Sequence, residues 1–223
     1  MPAATISVLV ITSAVSIIGI LYPVVLDTLR RDPGALLAGQ WWRLLSPLLV
    51  QSDGWWQFAS NGVALVVVGG AAERLFGSRR WFALYLAGGM AGELAGYAWQ
   101  PHGAGNSVAV FGLVGGLSVL LFRGGARVPP ITSLFIVYWV AAVAGYAAGG
   151  PGLAAGICVL FGVPTGVLLR RKGSERQLAL YTGVIVLLGE FSLAILHDIH
   201  GPATIAGICA GLVTPLPGRQ GGS

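Results

Sequence analysis

Long apolar runs, each closed by a short polar or charged stretch, recur along the whole chain. They fall at about 5–26, 56–72, 81–99, 107–122, 131–148, 151–169, 177–196 and 200–214. Each is close to the roughly 20 residues that a helix needs to cross the hydrocarbon core of a bilayer. The pattern predicts an all-α, polytopic transmembrane helical bundle of about eight spans in one domain, 1–223. The first run, Thr5 to Leu26, has neither a basic start nor a small-x-small cleavage site, so it is expected to be a membrane helix and not a cleaved leader.

Composition agrees with that reading. Of the 223 residues 55% are hydrophobic and only 9% charged, against roughly 25% in a soluble domain. The net charge of +5 comes from short basic clusters between apolar runs, with no stripe interleaved with aromatics, so nucleic acid is excluded as a partner and a lipid bilayer is expected.

The clusters occupy every second connection: Arg74, Arg79 and Arg80; Arg123 and Arg127; Arg170, Arg171, Lys172 and Arg176; and finally Arg219. By the positive-inside rule these connections and the N-terminus are cytoplasmic, and the connections near 99–106 and 197–200 face outward. Ser107 and His200 then begin helices at the same outer face. The loop at 28–54 is the exception, because it carries Arg30, Arg31 and Arg43 yet falls on the outer side. Its Trp41 and Trp42, with Trp55 and Trp56 just beyond, predict a segment lying in the membrane interface. Residues 216–223 are expected to form a short flexible tail.

Cys158 and Cys209 lie inside apolar runs without CxxC or Cys/His spacing and read as packing residues. No disulfide, metal site or cofactor is expected. The candidate chemistry lies in GAGNSVAVFGLVGG, Gly103 to Gly116, and in HGPATIAG, His200 to Gly207. On helices, Ser107, Phe111 and Gly115 share one face, and His200, Ala203, Gly207 and Gly211 share another. Glycines at four-residue spacing, Gly112 with Gly116 and Gly207 with Gly211, let helix backbones approach closely in lipid. If those faces meet, Ser107 and His200 meet.

A serine hydroxyl needs a base to take its proton as it attacks, and histidine, with a pKa near 6.5, suits that role. The oxyanion so formed needs donors, and Gln57 and Asn61, four residues apart near the outer end of the second helix, both carry amide groups. Taken singly, each residue also has a plainer reading: Ser107 as a packing serine, Asn61 as interhelical glue, His200 as an interfacial residue or cap. Glu93 and Glu190 are equally notable in a membrane and suggest instead the coupling acids of a transporter or channel.

His102, in a loop, is expected to be exposed, and His197 lacks the small-residue face that follows His200. Asp198, two residues from His200 on an assumed helix, is expected to point away from it. GGPGLAAGIC from Gly149 echoes HGPATIAGIC from His200, with Gly149 standing where His200 stands; duplication and convergent small-residue packing both account for this.

The order of these motifs resembles the rhomboid family of intramembrane serine proteases. GQWWRLLSPLL (Gly39 to Leu49) resembles the Trp-Arg signature of the family's first loop at Trp42 and Arg43. FASNGVALVVVGGAAERLFG (Phe58 to Gly77) resembles its second helix, with Asn61 at the oxyanion asparagine and Glu73 near the close. GNSVAVFGL (Gly105 to Leu113) resembles the GxSx motif, and HGPATIAG the histidine helix with Gly207 seven positions on.

The resemblance implies a six-helix core with two extra helices, and a Ser107/His200 dyad without an aspartate. It implies that Asn61, Gln57 and the Ser107 N–H hold the oxyanion, and that Phe111 packs beside the imidazole. Its substrates are transmembrane segments of other membrane proteins, cut inside a bacterial cell membrane at a site open to the outer face.

Three positions depart from the family's pattern. Gln57 stands where a histidine is frequent; Val108 stands where glycine is common and is expected to crowd substrate or stiffen the turn; and Pro151 to Arg176 forms an extra segment or hairpin. The alternative reading is an inactive rhomboid-like protein that binds transmembrane helices without cutting them.

Overall fold

The computed structural model describes residues 2–123 and 128–213; Arg127, Arg219 and the tail 216–223 lie outside the described residues. Helix α1, Ala3–Leu21, leads into a loop containing the short helices α2, Pro23–Leu29, and α3, Pro33–Leu37, and two 3-10 turns, Trp41–Leu44 and Ser46–Leu49. Helix α4, Gly54–Ala64, passes through a π turn at Leu65–Gly69 into α5, Gly70–Phe76. Then follow α6 (Ser78–Trp99), α7 (Ser107–Arg123), α8 (Pro130–Arg170), α9 (Glu175–Ile195) and α10 (His200–Val213).

Helix α8 is a hairpin. Gly149 and Gly150 leave helical geometry, Gly150 at φ 78°, a conformation that glycine adopts without a Cβ penalty, and Pro151 then starts the return arm. The Cys158 Sγ donates to the Tyr138 carbonyl at 3.5 Å, and Gly145 lies against Ala154. The arms 130–148 and 151–170 therefore run antiparallel. With them counted separately, the passes are α1, α4–α5, α6, α7, the two arms, α9 and α10, which follow the apolar runs of the sequence. By length and composition α1, α8 and α9 qualify as membrane spans, and α7 and α10 are shorter apolar helices. Thus the chain is a helical integral membrane protein, with Pro151–Arg170 as the return arm of a hairpin.

Helix α7 is the centre of the bundle: every residue from Val108 to Leu121 is buried. Helix α6 packs antiparallel along one side, with Gly88 against Gly112 and Gly92 against Val108. Helix α10 packs parallel along another, where a Cβ on Gly207 would strike the Gly112 carbonyl and one on Gly115 the Thr204 carbonyl. In lipid, association rests on this close van der Waals fit, so glycines at the crossing set how near the two helix starts can come.

The loop that breaks the charge alternation keeps its cations occupied. Arg31 is buried and pairs with Glu93 of α6 at 2.8 Å, while its Nε donates to the Gln100 carbonyl at 3.2 Å. Arg43, also buried, donates from Nη1 to the carbonyls of Asp27 (2.8 Å) and Arg30 (2.6 Å), covering the end of α2. Arg30 pairs with Asp27 at 3.0 Å. The neighbouring Trp42 donates from Nε1 to the Thr28 carbonyl.

Glu73 does comparable work at the opposite end. Its carboxylate accepts the N–H groups of Ala4 and Thr5 and the hydroxyls of Thr5 and Ser78, joining the start of α1 to the α5–α6 turn.

Candidate active site

Ser107 is the first residue of α7 and His200 the first of α10. Because the two helices run parallel across the glycine contact, their starts lie side by side, and His200 Nε2 is 2.8 Å from Ser107 Oγ. One turn below, the Phe111 ring sits 4.6 Å from the imidazole, centroid to centroid, and 4.5 Å from Trp139 of α8. Phe111 is fully buried, so it closes the bottom of the pair to solvent. Above it lies a cavity of about 790 Å³ that Ser107 and His200 line together with Asn61, Gln57 and Tyr146.

The other face of the imidazole corrects one expectation. Asp198 points toward His200, with Oδ1 2.6 Å from Nδ1. The reason is local backbone: α9 ends at Ile195, His197 turns at φ 55°, and α10 starts only at His200, so Asp198 is not on a helix. The same Oδ1 accepts the His200 N–H at 3.0 Å, one of the donors that a helix start leaves free, and Gln100 Nε2 approaches Oδ2 at 3.4 Å. Burial pushes the Asp198 carboxyl up, but hydrogen bonds from the His200 ring and N–H, its charge, and Gln100 bring it below the ordinary aspartate value. An ionised carboxylate can only accept, so a neutral His200 ring would hold its proton on Nδ1, the tautomer in which Nε2 accepts the Ser107 hydroxyl.

Asn61 is buried and donates from Nδ2 to Gln51 Oε1 at 2.8 Å; Gln51 Nε2 in turn donates to Asn106 Oδ1 at 3.0 Å. Gln57 Nε2 donates to the Ala104 carbonyl at 3.1 Å, and its Oε1 accepts the Asp53 N–H. Each amide nitrogen carries a second hydrogen. Gly105 has to be small, since a Cβ there would lie 2.6 Å from Gln57 Nε2.

Val108 does not crowd this cavity. Its side chain is buried against Gly92 of α6, where a Cβ would come within 2.6 Å of it. His102 is exposed and borders the cavity, and His197 is exposed with its ring edge-on to Trp99 at 5.2 Å. Trp42, Arg43 and Glu73 hold the loop and the helix ends, and they are not among the residues around the Ser107–His200 pair. Among the described residues, no group of three or more His, Cys, Asp or Glu side chains is arranged to hold a metal ion.

Sequence reading missed Gln51 and Trp139. Gln51 follows an apolar stretch with no periodic mark, and Trp139 reads as one more aromatic in a span. Only the folded chain brings them to Asn61 and Phe111.

The fold and these contacts define a polytopic helical membrane protein with a serine, a histidine and an aspartate hydrogen-bonded in line at one end of the bundle. The chain belongs to the rhomboid family: the rhomboid domain matches residues 38–176. That match takes in Trp42, Arg43, Gln57, Asn61, Glu73, Ser107 and Phe111, and it ends at the start of α9, before His200 and Gly207.

The chain is similar to the rhomboid protease GluP of Bacillus subtilis, 40% identical over 88 residues, which is 39% of this chain and 17% of that protein. It is also similar to the rhomboid protease AarA of Providencia stuartii, 34% identical over 71 residues, 32% of this chain and 25% of that one. The chain thus spans well under half the length of these curated relatives. No solved structure matches it.

Proposed function

We propose that this protein is an intramembrane serine endopeptidase in which Ser107 is the nucleophile and His200 the general base. The observation that carries the reading is the 2.8 Å contact between His200 Nε2 and Ser107 Oγ at the wall of a large cavity. Relatives named rhomboid proteases support it.

In the first step Ser107 Oγ attacks the scissile carbonyl carbon while Nε2 takes the hydroxyl proton. The carbonyl oxygen becomes an oxyanion, for which Asn61, Gln57 and the Ser107 N–H are the donors. As the intermediate collapses, the C–N bond breaks and His200 returns the proton to the departing amine. Water, deprotonated by His200, then hydrolyses the acyl-serine and restores the hydroxyl.

The substrates are transmembrane segments of other membrane proteins that unwind readily and offer a small residue at the cut. The chain acts as one domain in a bacterial cell membrane, with its N-terminus cytoplasmic and the cavity open to the outer face. The loop 28–54 lies in the interface there, a placement supported by the exposed rings of Trp41, Trp42, Trp55 and Trp56.

Two rival readings have less behind them. Val108 turns away from the cavity, which weakens the case for an inactive helix binder, and Glu93 already serves Arg31, which weakens the case for a coupling acid. A fluorophosphonate probe tests the proposal directly: the detergent-solubilised protein labels, Ser107→Ala does not, and His200→Ala labels at least about a hundredfold more slowly. A folded wild-type protein that never labels overturns it.

A further inference from the structure

We infer that Asp198 is a positioning residue for His200, so that the working unit is a relay Ser107–His200–Asp198 and not a dyad. The inference rests on the proteolytic reading above and assigns the residue that prepares its base.

The geometry has three parts. Asp198 Oδ1 lies 2.6 Å from His200 Nδ1, on the side of the ring opposite Ser107. The carboxylate is fixed from two further directions, by the His200 N–H at 3.0 Å and by Gln100 Nε2 at 3.4 Å. Finally, Asp198 and His200 both line the cavity with 15% of each side chain exposed, so their attraction is only partly screened by water.

A neutral imidazole free in solution distributes its proton between two nitrogens; here the carboxylate claims the Nδ1 proton and leaves Nε2 as acceptor, as the attack on a carbonyl needs. When Nε2 takes the serine proton, the new imidazolium has an anion already in contact, and its cost falls without any rearrangement.

Other charged groups near the pair make no such contact. Glu190 of α9 is buried and interacts with Thr204 of α10, and Arg31, Asp53 and His102 border the cavity, with Arg31 committed to Glu93. The signal in the sequence, DIH, was obscured by treating 198–200 as one helix. Once the helix starts at His200, a residue two positions earlier folds back over its first turn.

Two substitutions separate orientation from charge. Asp198→Asn keeps an oxygen that can accept both the ring and backbone N–H groups, so it preserves the helix start while removing the charge. Asp198→Ala removes the acceptor as well. With a reporter transmembrane substrate, Asp198→Asn is expected to lower kcat roughly tenfold to a hundredfold with KM little changed, and to move the acid limb of the kcat/KM profile to lower pH. Asp198→Ala is expected to lose more.

A second readout is independent of turnover. In 15N NMR of ring-labelled protein, assigned with His102→Gln and His197→Gln, wild-type His200 shows the Nδ1–H tautomer, and Asp198→Ala shifts it toward Nε2–H. Unchanged rates and pH profiles in both variants, in a protein that Ser107→Ala silences, overturn the relay and leave the dyad standing. A wild-type protein that shows no cleavage overturns the proteolytic reading instead. In that case the tautomer still decides whether Asp198 orients His200, and equal tautomer populations in wild type and Asp198→Ala overturn the orientation.

Discussion

Asn61 reaches the cavity through a chain of amides, Asn106 to Gln51 to Asn61, all three buried. An amide held at one hydrogen presents the other in a fixed direction, which is what a preorganised donor requires. Asn61→Ala is therefore expected to lower kcat by about 10²-fold with KM within a factor of about two, measured on a reporter substrate. Gln51→Leu acts one step back: it leaves Asn61 Nδ2 and Asn106 Oδ1 without partners at a cost of roughly 1–3 kcal/mol each. Its thermal midpoint falls and its turnover drops by less than that of Asn61→Ala. Equal turnover in wild type and Gln51→Leu would show that Asn61 needs no such support. Of these residues, spacing in the sequence marks Asn61 and Gln57, because four positions on a helix is a local relation. Gln51 and Trp139 are joined to the site by tertiary contact, which one-dimensional spacing does not carry, and Asp198 was misread because helical geometry was extended to it, whereas it lies in the turn before the helix that starts at His200.

At the scale of helices, what brings Ser107 and His200 together is the absence of side chains. Gly207 lies on the Gly112 carbonyl and Gly115 on the Thr204 carbonyl, so any Cβ at those positions pushes α10 away from α7. Overpacking of this kind costs typically about 1–3 kcal/mol, and a displacement on the order of 1 Å at the reacting groups costs about 10²-fold in rate. Gly207→Ala is expected to lose probe labelling by a larger factor than it loses folded protein, measured side by side. Gly166 on the return arm is the comparison, since a Cβ there meets nothing within 4 Å. Gly166→Ala is expected to leave labelling unchanged and to gain roughly 0.5–1 kcal/mol of helix stability. The glycine stripes were legible in the sequence because packing in lipid selects small residues at helical spacing. The hairpin at Gly149–Gly150 was legible only as a choice between an added segment and a fold-back, since the apolar runs on either side read the same in both cases.

Across the whole molecule, the charges are sorted by how they are held. Arg74, Arg79, Arg170, Arg171, Lys172 and Arg176 are exposed, and the contacts of Glu73 with Ala4 and Ser78, of Arg123 with the Leu212 carbonyl, and of Gly183 with Phe122 gather their helix ends at one end of the bundle. At the other end Arg31 and Arg43 are buried on a carboxylate and on backbone carbonyls. A free cation near an anionic leaflet contributes about 1 kcal/mol, so under the proposed orientation six of them would favour it by several kcal/mol, whereas a cation already buried has little left to offer the lipid. The exception at 28–54 thus does not count against the orientation proposed from the other connections. With Cys158 and Cys209 replaced by alanine, a membrane-impermeant maleimide added to intact cells is expected to label His102→Cys, beside the cavity, and to label Lys172→Cys only after the membrane is opened. Labelling of Lys172→Cys from outside, with His102→Cys protected, would reverse the orientation and turn the cavity toward the cytoplasm.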